Sequence, residues 1–304
     1  MLKNAFNKCR LTTQYRRYTI KALQKQFYSS TTVTQNDSQR PATDAETHFG
    51  FQTVKESEKA EKVHKVFEEV AKSYDLMNDA MSFGVHRLWK DIFIERLGAS
   101  RGTKLLDMAG GTGDIAFRYL KYLNNSPRQD DVQSHVTISD INQNMLDVGR
   151  IRAEKLGFVN GSETINDCSV DWVCANAEQL PFADNTFTAY TIAFGIRNCT
   201  HIDKVLSEAY RVLAPGGRFM CLEFSHLNNE TMQWLYDQYS FHVIPPMGQI
   251  LAGQWHPYQY LVESIRKFPK QVEFEEMIRE SGFNCVSYED LTFGVCSIHS
   301  GFKL

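Results

Sequence analysis

Apolar residues recur at helical spacing over Val54–Tyr74, where Val63, Val66, Phe67, Val70, Ala71 and Tyr74 share one face and Glu and Lys fill the other. Asp75–Gly84 alternates polar and apolar residues tightly and predicts a short turn or helix. His86–Leu97 predicts another helix, stopped at Gly98. Beyond that point the pattern changes. Short apolar runs at Lys104–Met108, His135–Ser139, Val170–Cys174, Phe187–Phe194 and Gly217–Glu223 predict five strands. Helical patterns over about Thr112–Leu123, Gln143–Leu156, Ile202–Leu213 and Met232–Tyr239 are interspersed with them. A helix at about Gln271–Ser281 ends at Gly282. Strands near Asn284–Asp290 and Gly294–Ser300, joined by Leu291–Phe293, form a closing antiparallel hairpin. Strands alternating with helices predict an α/β fold: a seven-stranded, mostly parallel sheet with helices on both faces.

One stretch fits neither period. Gln238–Val262 contains no Asp, Glu, Lys or Arg, yet Pro245, Pro246, Pro257, Gly248 and Gly253 break it. It predicts a greasy, irregular flap rather than a spanning helix, and no run in the chain reaches the about 18 consecutive apolar residues of a transmembrane segment.

Charge changes the picture at the N-terminus. The 304 residues carry a formal net charge of -3, but residues 1–36 hold seven Lys or Arg and no acid, which leaves -10 for the remainder. A basic, Ser/Thr-rich leader with loosely helical apolar spacing (Leu11, Tyr15, Tyr18, Ala22, Leu23) predicts a mitochondrial transit peptide over 1–36. Residues 37–50 read as a linker, and 51–304 as the folded domain. The acidic body lacks a basic, aromatic-rich patch and argues against nucleic acid as a partner. Seven widely scattered cysteines with no CxxC pair, and nine histidines with no HExxH, argue against a disulfide framework or a metal site.

The sharpest chemical signal is Leu105-Leu106-Asp107-Met108-Ala109-Gly110-Gly111-Thr112-Gly113-Asp114, between the first strand of the alternating region and its helix. Glycines there let a backbone approach a ligand at a helix N-terminus. The run is neither the GxGxxG dinucleotide fingerprint nor a GxxxxGK[ST] phosphate loop. Asp107 beside the turn would repel a pyrophosphate and suits an ammonium or other donor. Asp140, ending the next strand, suits two ribose hydroxyls. Together they bracket a cationic, ribose-bearing ligand, although either alone is equally a helix N-cap. Asn176-Ala177-Glu178-Gln179, after the third strand of that series, offers a polar edge for an adenine.

These residues resemble the class I (Rossmann-like) S-adenosyl-L-methionine-dependent methyltransferases. Tyr74-Asp75-Leu76-Met77-Asn78-Asp79-Ala80-Met81-Ser82-Phe83-Gly84-Val85-His86-Arg87-Leu88-Trp89-Lys90 narrows the resemblance to the ubiquinone/menaquinone biosynthesis C-methyltransferases. Arg211–Gly217, Leu222-Glu223-Phe224-Ser225 and Phe194-Gly195-Ile196-Arg197-Asn198 agree with that family. The resemblance covers about Phe51–Leu304. It implies S-adenosyl-L-methionine as methyl donor, with Thr112, Asp140, Asn176 and Ala177 contacting it, beside the turn residues Asp107, Gly111 and Gly113. Family members often have Ser where this chain has Ala193, and the polar Asn124–Ser134 segment lengthens the family's spacing as a surface loop.

The implied acceptor is a ring carbon of a prenylated benzoquinol. The leader favours the ubiquinone pathway, hence 2-methoxy-6-polyprenyl-1,4-benzoquinol. Arg197, after a strand's carboxyl end, is the first catalytic candidate, as a phenolate stabiliser that orients a water. Tyr74 is the second, with Asn78, Asp79 and His86 behind it. The Gln238–Val262 stretch is the candidate for the isoprenoid tail or for peripheral contact with the matrix face of the mitochondrial inner membrane. The resemblance also implies a homodimer and partners among other ubiquinone-biosynthesis proteins in a multi-subunit complex. Two further readings compete: a scaffold subunit with secondary catalysis, and a methyltransferase for another lipophilic acceptor such as a sterol.

Overall fold

A computed structural model describes residues 45–70, 74–98, 100–125, 133–158 and 168–304, without the side chains of 69, 74 and 75. The expected leader lies outside the described residues, as do the linker up to residue 44 and the core of the polar loop at 126–132.

The described chain opens with a hairpin, β1 (Glu46–Phe49) and β2 (Gln52–Lys55), paired antiparallel. This corrects the linker expected over 37–50 and the helix start at Val54. Phe49 stacks on Tyr260 at 4.2 Å between ring centroids, and the Phe51 N–H donates to Glu263 Oε2 at 2.9 Å. Those two long-range contacts hold a hairpin whose own sequence is mostly polar.

Three helices follow: α1 (Glu56–Val70), α2 (Tyr74–Ser82) and α3 (Val85–Leu97), the last closed by Gly98 in the left-handed region. The main sheet comprises β3 (Lys104–Met108), β4 (Ser134–Asp140), β5 (Cys168–Cys174), β6 (Phe187–Ala193), β7 (Leu213–Phe224), β8 (Asn284–Leu291) and β9 (Cys296–Phe302). Its order is β5-β4-β3-β6-β7-β9-β8. β3 pairs in parallel with β4 on one side and β6 on the other, and only β9 runs antiparallel to its neighbours β7 and β8. All seven expected strands are present in the expected sense.

Side-chain alternation along β3 separates the two faces. Leu105 packs with Phe93 and Leu97 of α3, Phe117 and Leu120 of α4 (Asp114–Asn124) and Leu146 of α5 (Gln143–Lys155). Leu106 packs with Val205, Leu206 and Ala209 of α6 (Ile202–Val212) and with Phe274 and Ile278, residues near the C-terminal end.

The uncharged stretch is not an irregular flap. It forms the end of α7 (Glu230–His242), all of α8 (Ile244–Ala252) and the first half of α9 (His256–Lys267). α10 (Gln271–Glu280), which carries Phe274 and Ile278, completes the helices. Pro245, Pro246 and Pro257 sit in the first turns of α8 and α9, where a missing N–H leaves no helical bond unmade. Ile244, Tyr258 and Val262 form a third small core with Val70 and Met77, which fastens α8 and α9 to α1 and α2. No helix among the described residues is long and apolar enough to cross a membrane.

His299 of β9 is 1% exposed, with Nε2 at 3.0 Å from the Gln271 carbonyl and Nδ1 without a partner among the described residues. Burial lowers its pKa to about 4. The unfolded chain takes up this proton near 6.5, so the folded state loses stability as pH falls from about 6.5 to about 4, by up to about 1.4 kcal/mol per pH unit for this group. Unfolding free energies of His299→Gln and wild type, measured across that window, should diverge, the variant depending less steeply on pH. Parallel curves would contradict this assignment.

Candidate active site

The chain reverses its direction across the sheet at β3, sending β4 to one side and β6 to the other. Such a switch point opens a crevice at the strands' carboxyl ends. The turn Ala109–Gly113 forms its floor. A Cβ on Gly110 would lie 2.8 Å from Ile138 Cγ2 and 3.0 Å from the Asp107 carbonyl oxygen, so bare backbone is required there. Gly113, at φ 83°, starts α4, and a Cβ would strike the Phe117 ring at 2.7 Å.

Asp107 lies beneath this turn and is 1% exposed. Its Oδ1 accepts the Thr191 hydroxyl at 3.0 Å and its Oδ2 the Ala116 N–H at 3.2 Å. Burial pushes its carboxyl up to about 7, against the hydrogen bonds from Thr191 and Ala116. It ties the first turn of α4 to β6. Neither Asp107 nor Gly113 is among the residues lining the cavity above, so the expectation of direct ligand contact passes to their neighbours.

That cavity has a volume of 370 Å³, in the range of small-molecule sites. Gly111, Thr112, Asp140, Asn176 and Ala177 line it, as expected from the sequence. Asp140 Oδ2 accepts the Gly111 N–H and Oδ1 the Asn142 N–H, each at 2.9 Å. A carboxylate has about four acceptor sites, and the backbone N–H groups of Gly111, Asn142 and Ile141 do not fill them, so acceptor capacity remains for a ligand hydroxyl. Burial raises the pKa of this carboxyl, and the backbone donors of Asn142 and Gly111 oppose the rise. Buried Asn142 Nδ2 has no partner among the described residues. Asp114, Glu56 and Glu178 add acidic groups to the lining, which suit a cationic ligand.

Sequence reasoning missed the outer wall. Ser57, Ala60, Val63, His64 and Phe67 of α1 line the same cavity. Lys59, 1% exposed, donates to the Cys199 carbonyl at 3.0 Å, and Glu56 pairs with His201 at 3.2 Å. Both contacts tie α1 to the loop after β6. The apolar stripe of α1 was visible, but periodicity cannot distinguish a face on the core from a face on a cavity.

A second cavity of 60 Å³ adjoins the first, and Phe67, Lys90 and Phe194 line both. Met77, Met81, Phe224 and Leu261 make it largely apolar, and Arg197 and His86 reach it. Arg197 is not a free guanidinium. It follows β6 in a single 3₁₀ turn, and its Nη1 donates to Glu223 Oε1 at 2.7 Å and to the Phe194 carbonyl at 2.6 Å. Both partners of the ion pair are buried. Burial raises the Glu223 pKa, and the Arg197 charge opposes it. Glu223 stood in a quoted motif without a role; a pair 26 residues apart has no local signature. Tyr74 opens α2, and its side chain lies outside the described residues.

Residues 53–303 match the model of the ubiE/COQ5 methyltransferase family. The chain belongs to that family. A Drosophila melanogaster 2-methoxy-6-polyprenyl-1,4-benzoquinol methylase, mitochondrial, is 73% identical over 258 residues, 85% of either chain. Proteins of the same name from Caenorhabditis elegans and Homo sapiens are 57% and 51% identical, covering 88% and 86% of this chain and 89% and 85% of theirs. Among solved structures, the [4+2]-cyclase SpnF has a TM-score of 0.55 at 17% identity, over 80% of this chain and 96% of its own. That likeness shows the fold alone, and a cyclase on this fold shows that the fold does not choose the reaction.

This ubiE/COQ5 family methyltransferase uses S-adenosyl-L-methionine, and its larger cavity fits that group: a bare-backbone floor, an Asp140 with acceptor capacity to spare, and an Asn142 Nδ2 with no partner among the described residues. No group of three metal-ligating side chains occurs among the described residues. Gly110→Ala should weaken S-adenosyl-L-methionine binding about fivefold or more, from about 1–3 kcal/mol of overpacking that distorts the floor. Titration calorimetry checks this, and unchanged affinity would contradict the floor assignment.

Proposed function

We propose that this methyltransferase transfers the donor's methyl group to a ring carbon of 2-methoxy-6-polyprenyl-1,4-benzoquinol, in mitochondrial ubiquinone biosynthesis. The carrying observation is the small apolar cavity, with Arg197 in its wall, opening beside the donor cavity across Phe67, Lys90 and Phe194. The names of the relatives support the acceptor and the compartment.

Bound S-adenosyl-L-methionine supplies an electrophilic methyl group. A neutral ring carbon attacks it poorly, whereas a phenolate places electron density on the carbon beside it. The Arg197 guanidinium serves as a positive charge near the developing phenolate. Its bond to Glu223 fixes its place and moderates its charge. An aromatic ring needs more than 60 Å³; a cavity of about 150 Å³ holds benzene. Ring entry therefore displaces flanking side chains, and Met77 and Met81 are the adaptable ones.

Asp140, Gly111, Thr112, Asn176 and Ala177 hold the donor in this reading, Asp107 and Gly113 shape the turn, and Tyr74 stays a candidate at the acceptor side. α9 supplies Pro257, Tyr258, Tyr260 and Leu261 to the acceptor cavity. Trp234 and Leu235 of α7 and Ile250 and Leu251 of α8 are exposed. These apolar positions support the proposed peripheral contact with the matrix face of the inner membrane, self-association as a homodimer, and assembly with other ubiquinone-biosynthesis proteins.

The test uses full-length protein, labelled donor and a short-tailed 2-methoxy-6-prenyl-1,4-benzoquinol, with and without reductant. Label should reach a ring carbon only in the reduced sample. Transfer to a sterol but not to the quinol would overturn the acceptor assignment. Replacing Arg197 and Glu223 together by Gln, which avoids an orphaned buried charge, should lower kcat while donor affinity holds.

A further inference from the structure

His86 stands in the wall of the acceptor cavity, on the first turn of α3. Its Nε2 lies 2.9 Å from Asp79 Oδ1. Arg87 binds both oxygens of that carboxylate at 2.7 Å, and the Arg87 guanidinium, followed by His86, holds the Asp79 carboxyl well below the usual range. Asp79 is therefore ionised and only accepts hydrogen bonds. The shared proton must sit on Nε2, which fixes the tautomer and leaves a lone pair on Nδ1. That Nδ1 is buried and has no partner among the described residues. A buried imidazole with one nitrogen held by a carboxylate and the other idle, beside the acceptor cavity, has the arrangement of a general base.

Resting on the acceptor reading above, we propose that His86 is the proton acceptor for the quinol hydroxyl, with Asp79 as its positioning residue and Arg197 as the charge that stabilises the phenolate. The O–H bond breaks with its electron pair left on oxygen, and the proton bonds to Nδ1. The neighbouring ring carbon then forms its bond to the methyl group as the sulfonium C–S bond breaks, its pair going to sulfur. The ring carbon's own proton passes to water, aromaticity returns, and the imidazolium gives its proton back to oxygen. One proton is released per methyl transferred.

The charged groups around His86 are Asp79 from α2, Arg87 and Lys90 from α3, Asp114 from α4 and Arg197 after β6; Tyr258 and Tyr260 face the cavity from α9. Burial, with Lys90 adding to it, lowers the His86 pKa from 6.5, and the bond to Asp79 opposes that. The imidazole is neutral at neutral pH, and the rate should fall as pH drops below about 6.5.

The experiment measures kcat against pH, at saturating reduced short-tailed quinol, for wild type, His86→Gln, Asp79→Asn and His86→Ala with added imidazole. His86→Gln should lose about 10²- to 10⁴-fold in kcat and the acidic limb with it, with donor affinity unchanged. Asp79→Asn should lose less, and imidazole should restore part of the rate of His86→Ala, which a merely structural role would not allow. A wild type that methylates the quinol beside an equally active His86→Gln with the same acidic limb overturns the assignment of His86 and leaves the acceptor reading standing. A wild type inactive on reduced quinol overturns the acceptor reading and this inference together.

Discussion

The strand order reverses at β3, and the placement of Asp140, the glycine turn and Arg197 follows from that. Because β4 and β6 flank β3 in parallel, the three carboxyl ends open side by side and the chain leaves them in opposite directions. Asp140 ends one strand, the glycine turn ends the next, and the segment leading to Arg197 leaves the third. The Gly111 N–H bonded to Asp140 and the Gly110 N–H bonded to the Ser139 carbonyl close the gap between two of these ends. α1, anchored by Lys59 and Glu56 to the loop after β6, covers the crevice from outside.

The two cavities divide the chemistry by polarity. The larger is ringed by Asp114, Asp140, Glu56 and Glu178, an environment for a positively charged donor. The smaller is largely apolar, and two polar side chains in its wall are engaged, Arg197 by Glu223 and His86 by Asp79. Each of those pairs fixes an orientation and leaves one buried nitrogen without a partner among the described residues, Nε of Arg197 and Nδ1 of His86. Buried polar atoms without partners are costly, so their presence at the wall of an acceptor site is an observation about function rather than about stability.

Much of the sheet was legible because its strands are short apolar runs bounded by glycine and polar turns, a pattern that period and length resolve. The β1–β2 hairpin was not, since its residues are polar and its stability comes from Phe49 on Tyr260 and Phe51 on Glu263, more than 200 residues away. α8 and α9 were hidden by Pro245, Pro246 and Pro257, which read as breakers but occupy first turns. In the site, Asp140 was legible as a strand-end acid. Asp107 was legible as a special position but not in its direction, which is inward, to Thr191 and Ala116. The Arg197–Glu223 pair left no local pattern, and the α1 wall showed only as an apolar stripe whose partner, core or cavity, tertiary placement decides.

The central claim is that donor and acceptor occupy adjoining cavities that meet at Phe67, Lys90 and Phe194. A crystal structure of the protein with S-adenosylhomocysteine and a short-tailed benzoquinol tests it most directly. The account predicts the nucleoside over Asp140 and Asn176, and the ring between Met77, Met81 and Phe224 with one hydroxyl within hydrogen-bonding distance of His86 Nδ1. A ring bound outside that cavity, with the side chains of α2 and α9 undisturbed, would contradict it.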